Sequence, residues 1–126
     1  MREKSILVVD DSPTELKLLT KLLEGCGYQF TTATDGEEAL QKAIQQKPDL
    51  MLLDVVLPKR SGFQVCRQLK MSPDTQGIKI IVVSSKNQES DRYWGLKQGA
   101  DAYICKPVKQ EELLTAIAQQ LGTGPA

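Results

Sequence analysis

Residues 50–62 read LMLLDVVLPKRSG: four apolar side chains, a single aspartate at Asp54, three more apolar residues, then Pro58 and, after a short polar stretch, Gly62. The apolar run has the length and composition of a strand covered on both faces. A carboxylate at its end needs an explanation, because an unpartnered buried charge costs several kcal/mol or changes its protonation. Asp54 is therefore a strand-end accident, half of a structural ion pair, or a working group.

The surrounding chain repeats the pattern that this stretch begins. Ser5 to Val9 is an apolar, β-branched run, and Ser12-Pro13-Thr14-Glu15 follows it with a capping serine, a proline at the first helical position and a glutamate three residues after the cap. Leu16, Leu19, Leu22, Leu23 and Cys26 then recur at helical spacing until Gly25–Gly27 stops the helix. A β-type segment, Tyr28 to Thr34, leads to Asp35-Gly36-Glu37-Glu38, which opens a second helix with Ala39, Leu40, Ala43 and Ile44 on one face. The same alternation predicts strands over 49–53, 78–83 and 101–105, and helices over about 62–70, 87–97 and 110–121.

Five strand–helix units imply right-handed crossovers and a parallel sheet with helices on both faces. The expected fold is α/β and doubly wound, with five parallel strands in the order 2-1-3-4-5. Ligands of such sheets lie beyond the carboxyl ends of the strands, where the strand order reverses. The sequence puts Asp10 and Asp11 after the first strand, Asp54 after the third, Ser84 after the fourth and Lys106 after the fifth.

Bulk composition limits the alternatives. The chain has 126 residues, of which 40% are hydrophobic, enough for one core and too few for two. Sixteen Lys and Arg balance sixteen Asp and Glu with no basic run, so the footprint of a nucleic-acid binder or a polybasic membrane anchor is missing. No apolar stretch reaches the length of a signal-peptide core or a membrane span. Cys26, Cys66 and Cys105 are odd in number and widely spaced, which fits three small buried hydrophobes in a reducing, cytoplasmic compartment. The chain has no histidine, and with it go imidazole-based triads and histidine-ligated metals.

Three carboxylates brought within about 5 Å repel by about 3 kcal/mol per pair at an effective dielectric of ~20. A divalent cation removes the conflict, and an all-oxygen ligand set that leaves room for water and phosphate oxygens points to Mg²⁺. Asp11 and Asp54 are the expected direct ligands, with Asp10 direct or through water. A carboxylate beside Mg²⁺, with the Lys106 ammonium and the Ser84 hydroxyl aimed at the same point, is suited to attack phosphorus and hold the resulting anion. Asp54 is the candidate nucleophile and phosphoacceptor.

At ILVVDDS (6–12), LLDVVLPKRSG (52–62), VVSS (82–85) and YICKP (103–107), the chain resembles the receiver domains of two-component response regulators, especially single-domain ones of the chemotaxis-regulator type. The resemblance spans essentially the whole chain and implies a flavodoxin-like receiver domain over 1–122 with a short flexible tail over 123–126. It implies that a histidine kinase or phosphotransfer protein supplies the phosphoryl group to Asp54, and that the main-chain carbonyl of Val56 also binds Mg²⁺. It implies a cis Lys106–Pro107 bond, which would be taken as trans without it. It implies a switch in which Ser84 moves to the phosphoryl group and Tyr103 leaves an exposed rotamer to fill the vacated space, repacking the face of helix four, strand five and helix five. An ordinary strand tyrosine with a wet hydroxyl is the plain alternative.

Within the family, residues 86–98, KNQESDRYWGLKQ, resemble the branch associated with twitching motility and phototaxis, with Tyr93 and Trp94 on helix four. Val56 and Lys86 stand where the family tunes hydrolysis of the acyl phosphate, and neither orients a water, so self-dephosphorylation is expected to be slow. The chain is thus read as a phosphorylated signalling switch rather than an enzyme, a monomer or weak dimer, with only GTGPA after the last helix, so that the signal leaves by contact with a downstream target protein. A Mg²⁺-dependent aspartyl-phosphate phosphatase of the haloacid-dehalogenase type needs a second acid two residues beyond the nucleophile, where Val56 stands, and also a cap domain. A flavodoxin-type cofactor site needs a hydroxyl-rich loop where DDSPTE is acidic. A degenerate receiver acting as an unphosphorylated docking module would keep the fold and fail a phosphorylation assay.

Overall fold

A computed structural model describes residues 4–122. The expected flexible tail at 123–126 lies outside the described residues. Along the chain lie β1 (Ser5–Val9), α1 (Pro13–Glu24), β2 (Gln29–Ala33), α2 (Gly36–Gln46), β3 (Leu50–Leu53), α3 (Gly62–Met71), β4 (Lys79–Ser84), α4 (Glu89–Lys97), β5 (Ala102–Cys105) and α5 (Gln110–Leu121). All strand pairs are parallel, and the sheet order is β2-β1-β3-β4-β5, as the strand–helix rhythm predicts.

Continuous apolar strands follow from a sheet with two buried faces, because alternate side chains point to opposite sides. Leu7, Val9, Met51, Leu53, Ile80 and Val82 point to one side and pack with Ala39 and Ala43 of α2 and Val65, Cys66 and Leu69 of α3. Ile6, Val8, Leu50, Leu52, Ile81, Val83 and Ile104 point to the other, against Leu19 and Leu23 of α1 and Leu113 and Ile117 of α5. Helix starts are set by local chemistry: Ser12, Asp35 and Ser61 accept from the amides of Glu15, Glu38 and Gln64. Helix α4 begins at Glu89 rather than near 87, because Gln88 is its cap residue and donates its N–H to Asp91 Oδ2 at 3.2 Å.

Two burial expectations are corrected. Of the three cysteines only Cys66 is buried; Cys26 is exposed and Cys105 is half-buried. Helix α1 ends at Glu24, so Cys26 falls in the turn instead of on the apolar face. Ile44 is 57% exposed, since Ala39 and Ala43 define a narrow buried stripe and Ile44 stands beyond its edge.

Candidate functional site

Parallel strands all end on one edge, and register decides how closely their next residues approach. Val9 pairs with Leu53, so Asp10 and Asp54 emerge side by side; the Asp54 N–H donates to Val9 O at 3.0 Å, while the Asp10 N–H donates to Ala33 O at the end of β2 at 3.1 Å. Asp11, the next residue, is exposed. Oxygens of Asp10, Asp11 and Asp54 lie within 4.8 Å of one another, the crowding anticipated from the strand order. An all-carboxylate set of this size fits a hard divalent cation.

Lys106 reaches the same point from the end of β5. Its Nζ is 2.8 Å from Asp10 Oδ2 and 3.7 Å from Asp54 Oδ2. Its backbone N–H donates to Ser84 O at 2.8 Å, and the following peptide bond to Pro107 is cis. Burial works against the Lys106 ammonium, but the hydrogen bond to Asp10 and the charges of Asp54, Asp10 and Glu15 outweigh it and raise its pKa.

Asp54 is 8% exposed, and its carboxyl is held above the usual range. Burial is the largest cause; Lys106 opposes it, Asp10 reinforces it, and the amides of Val55 and Val56 oppose it. Its Oδ1 accepts from Val55 N–H at 2.7 Å, which leaves Oδ2 toward Lys106. Asp54 is thus a buried carboxylate at a strand end, facing Asp10, Asp11 and Lys106 together, neither an accident of the turn nor one half of a simple ion pair.

Ser84 closes β4 fully buried, with its Oγ accepting from Lys86 N–H at 3.1 Å. The Lys86 carbonyl accepts in turn from the Tyr103 hydroxyl at 2.7 Å. Tyr103 is 6% exposed, so its ring lies inward, unlike the exposed rotamer implied by the resemblance and unlike a strand tyrosine with a wet hydroxyl. Burial pushes its phenol up, partly offset by the neighbouring Ser84 hydroxyl. Val56 is 58% exposed in the loop beyond Asp54, and Lys86 is exposed.

Two participants were hidden in the sequence. Glu15 has the spacing of a capping-box acid, yet the Ser12 N–H donates to Asp10 Oδ1 at 2.9 Å instead. Glu15 Oε2 is left buried with no hydrogen-bond partner among the described residues, its charge felt by Lys106. Gly62 is the second: a Cβ there would stand 2.1 Å from Asp54 O and 2.8 Å from Val55 Cα, so only glycine lets α3 start against the acidic strand end. The Gly62 N–H donates to Val55 O at 2.8 Å across that contact.

A family model described as the response regulator receiver domain matches residues 6–118. Protein PilH of Pseudomonas aeruginosa is 47% identical over 112 residues, covering 89% of this chain and 93% of PilH. A CheY-like response regulator receiver domain protein from Methanospirillum hungatei superposes with a TM-score of 0.89 at 32% identity, over 96% of this chain and 95% of the other. The receiver domain of the sensor histidine kinase PA1611 from Pseudomonas aeruginosa, solved with a magnesium ion coordinated in its active-site cleft, superposes with a TM-score of 0.89 at 28% identity, over 96% of this chain and 99% of the other.

Proposed function

This chain belongs to the response regulator receiver domain family and is a phosphorylation-dependent signalling switch of the two-component type, and from that premise we propose that Asp54 is its phosphoacceptor. The observation that carries the assignment is the meeting of three carboxylates within 4.8 Å, two of them also in contact with Lys106. Asp10, Asp11, Asp54 and the main-chain carbonyl of Val56 would hold Mg²⁺; the PA1611 receiver domain with its bound magnesium supports this choice of ion. When bound, the ion supplies positive charge that offsets repulsion among these oxygens.

The roles of the remaining groups follow from their positions. Asp54 Oδ2 attacks the phosphorus of a phosphohistidine on a kinase or phosphotransfer protein; an O–P bond forms, the N–P bond breaks, and the leaving imidazole takes a proton. The acyl phosphate adds about two negative charges. The Lys106 ammonium turns from Asp10 toward them, and the Ser84 hydroxyl exchanges its bond with the Lys86 N–H for one donated to a phosphoryl oxygen. That exchange frees the Lys86 amide next to the carbonyl that Tyr103 holds, and so carries the event to the α4–β5–α5 face. A downstream target protein reads that face, and the chain acts as a monomer or weak dimer. No helix among the described residues is long and apolar enough to cross a membrane.

Incubation with acetyl phosphate and Mg²⁺ tests the assignment. Intact mass should show one added phosphoryl group that hydroxylamine removes. Asp54→Asn or chelation should abolish it, and Cys66→Ser should leave it intact. Labelling that persists in Asp54→Asn moves the nucleophile elsewhere.

A further inference from the structure

Helix α4 buries only Gly95, against the Tyr103 ring, and leaves Tyr93, Trp94 and Leu96 exposed. An amphipathic helix turns such side chains inward, so folding of this chain does not account for them. Trp94 and Lys97, three residues apart, share the side of α4 next to α3, whereas Arg92 stands on the side toward Glu111 and Glu112 of α5.

Two cavities meet at Trp94, which is 53% exposed. One, of about 480 Å³, is lined by Arg67 and Met71 of α3 and by Trp94 and Lys97 of α4. The other, of about 360 Å³, continues past Trp94 to Phe63 and Ser61. Arg67, Trp94 and Gln98 border both, so the two form one trough between the helices. At about 1.5 Å per residue, the trough follows α3 for about 15 Å from Ser61 to Met71, nearly three turns of a partner helix. Beneath it the Cys66 thiol donates to Gln98 O at 3.5 Å and ties α3 to the end of α4.

The charge of the trough has one sign. Among the described residues no carboxylate lines either cavity. Lys70 is engaged with Asp101 at 2.9 Å and with Ile78 O at 2.8 Å. Arg67 has no ion pair or hydrogen bond among the described residues, and Lys97 Nζ lies 5.5 Å from the Tyr93 ring centroid without a carboxylate partner. Two uncompensated cations thus flank an exposed tryptophan and Met71, which is 71% exposed. Tryptophan and arginine are the side chains that most often carry binding energy at interfaces, and a basic rim is complementary to an acidic partner. A second copy of this chain, with formal net charge zero, brings no overall attraction.

We propose that the trough between α3 and α4 is a docking site for an acidic segment of a partner protein. Trp94 and Met71 take its apolar anchors, and Arg67 and Lys97 take its carboxylates. The trough lies on the opposite side of α4 from the α5-facing cavity, so this contact is additional to the α4–β5–α5 face and independent of the chemistry assigned to Asp54.

A phage-displayed library of random peptides, selected on the immobilised full chain, tests the inference. Enriched sequences should be net acidic, with Leu or Phe at helical spacing. Trp94 is the sole tryptophan, so these peptides, synthesised without tryptophan, should shift its emission to the blue on binding. Arg67→Glu combined with Lys97→Glu should weaken binding by about tenfold or more, and high salt should weaken it too. Trp94→Ala, followed with a fluorescein-labelled peptide, should abolish it. Urea midpoints and phosphoryl uptake close to wild type should show that both variants are folded and that the site at Asp54 is untouched. Enrichment of neutral or basic peptides, no enrichment, or binding indifferent to these substitutions overturns the proposal. A dimer in sedimentation equilibrium that Trp94→Ala dissolves also overturns it, and gives the trough to a second copy.

Discussion

Replacing Lys106 by methionine keeps the length of the side chain and removes its charge from between two acids. At 2.8 Å and 3.7 Å, and an effective dielectric of ~20, the ammonium contributes about 6 and about 4.5 kcal/mol of gross attraction to Asp10 and Asp54. Desolvation of the ammonium consumes much of this, and breaking a buried pair by deleting one partner typically costs 3–5 kcal/mol. The Lys106 side chain keeps 15% exposure and its second contact is long, so a loss of about 3 kcal/mol is expected in metal-free buffer. Urea unfolding with EDTA measures it.

The pH dependence of this loss follows from Asp54. Burial already raises its folded pKa, and Lys106 is the largest opposing influence, so the variant raises it further. A raised carboxyl pKa gives stability that is fully present below the unfolded value near 3.8 and is lost as pH rises through the folded value. The variant should therefore fall furthest behind the wild type at neutral pH, and the gap should close on acidification. Mg²⁺ held by Asp10 and Asp54 would compete with Lys106 for their oxygens and should stabilise the variant more; at about 100 times its Kd a ligand contributes about 2.7 kcal/mol. A gap independent of pH, or equal stabilisation of both proteins by Mg²⁺, would refute this charge balance.

Two further expectations come from packing. Gly62→Ala sets its methyl against the Asp54 and Val55 main chain, which cannot yield as a side-chain tip would, so a loss of about 3 kcal/mol in urea unfolding and about tenfold slower phosphoryl uptake are expected, despite alanine's better helix preference; an unchanged urea midpoint would show that α3 can retreat freely. Iodoacetamide at mildly alkaline pH should modify Cys26 and spare Cys66, whose burial pushes its thiol up to about 12. The same shift from 9.0 gives stability present below 9.0 and lost as pH climbs through about 12, a slope that Cys66→Ala should remove; rapid labelling of Cys66 or an unaltered slope would contradict it.

Much of the molecule is legible in one dimension because two simple rules act on it. A strand covered on both faces must be apolar throughout, and Ser5–Val9, Leu50–Leu53 and Lys79–Ser84 show that signature nearly unbroken. Parallel strands must then deliver whatever follows them to a single edge, so Asp10, Asp11, Asp54, Ser84 and Lys106 could be gathered before any distance was known. Periodicity was less informative at boundaries, where Cys26 and Ile44 fit a helical face in spacing yet stand outside the buried stripe.

Other features exist only when remote segments touch. The tight seat of Gly62 on Asp54, the inward Tyr103 ring against Gly95, the bridge through Lys86 and the orphaned Glu15 oxygen are relations between specific atoms, settled within a few tenths of an ångström. Residue order carries hydrophobic period and chain direction, which are averages over many side chains and survive without coordinates. It does not carry the rotamer of one ring or the clearance above one Cα, because close packing by neighbours far along the chain decides those.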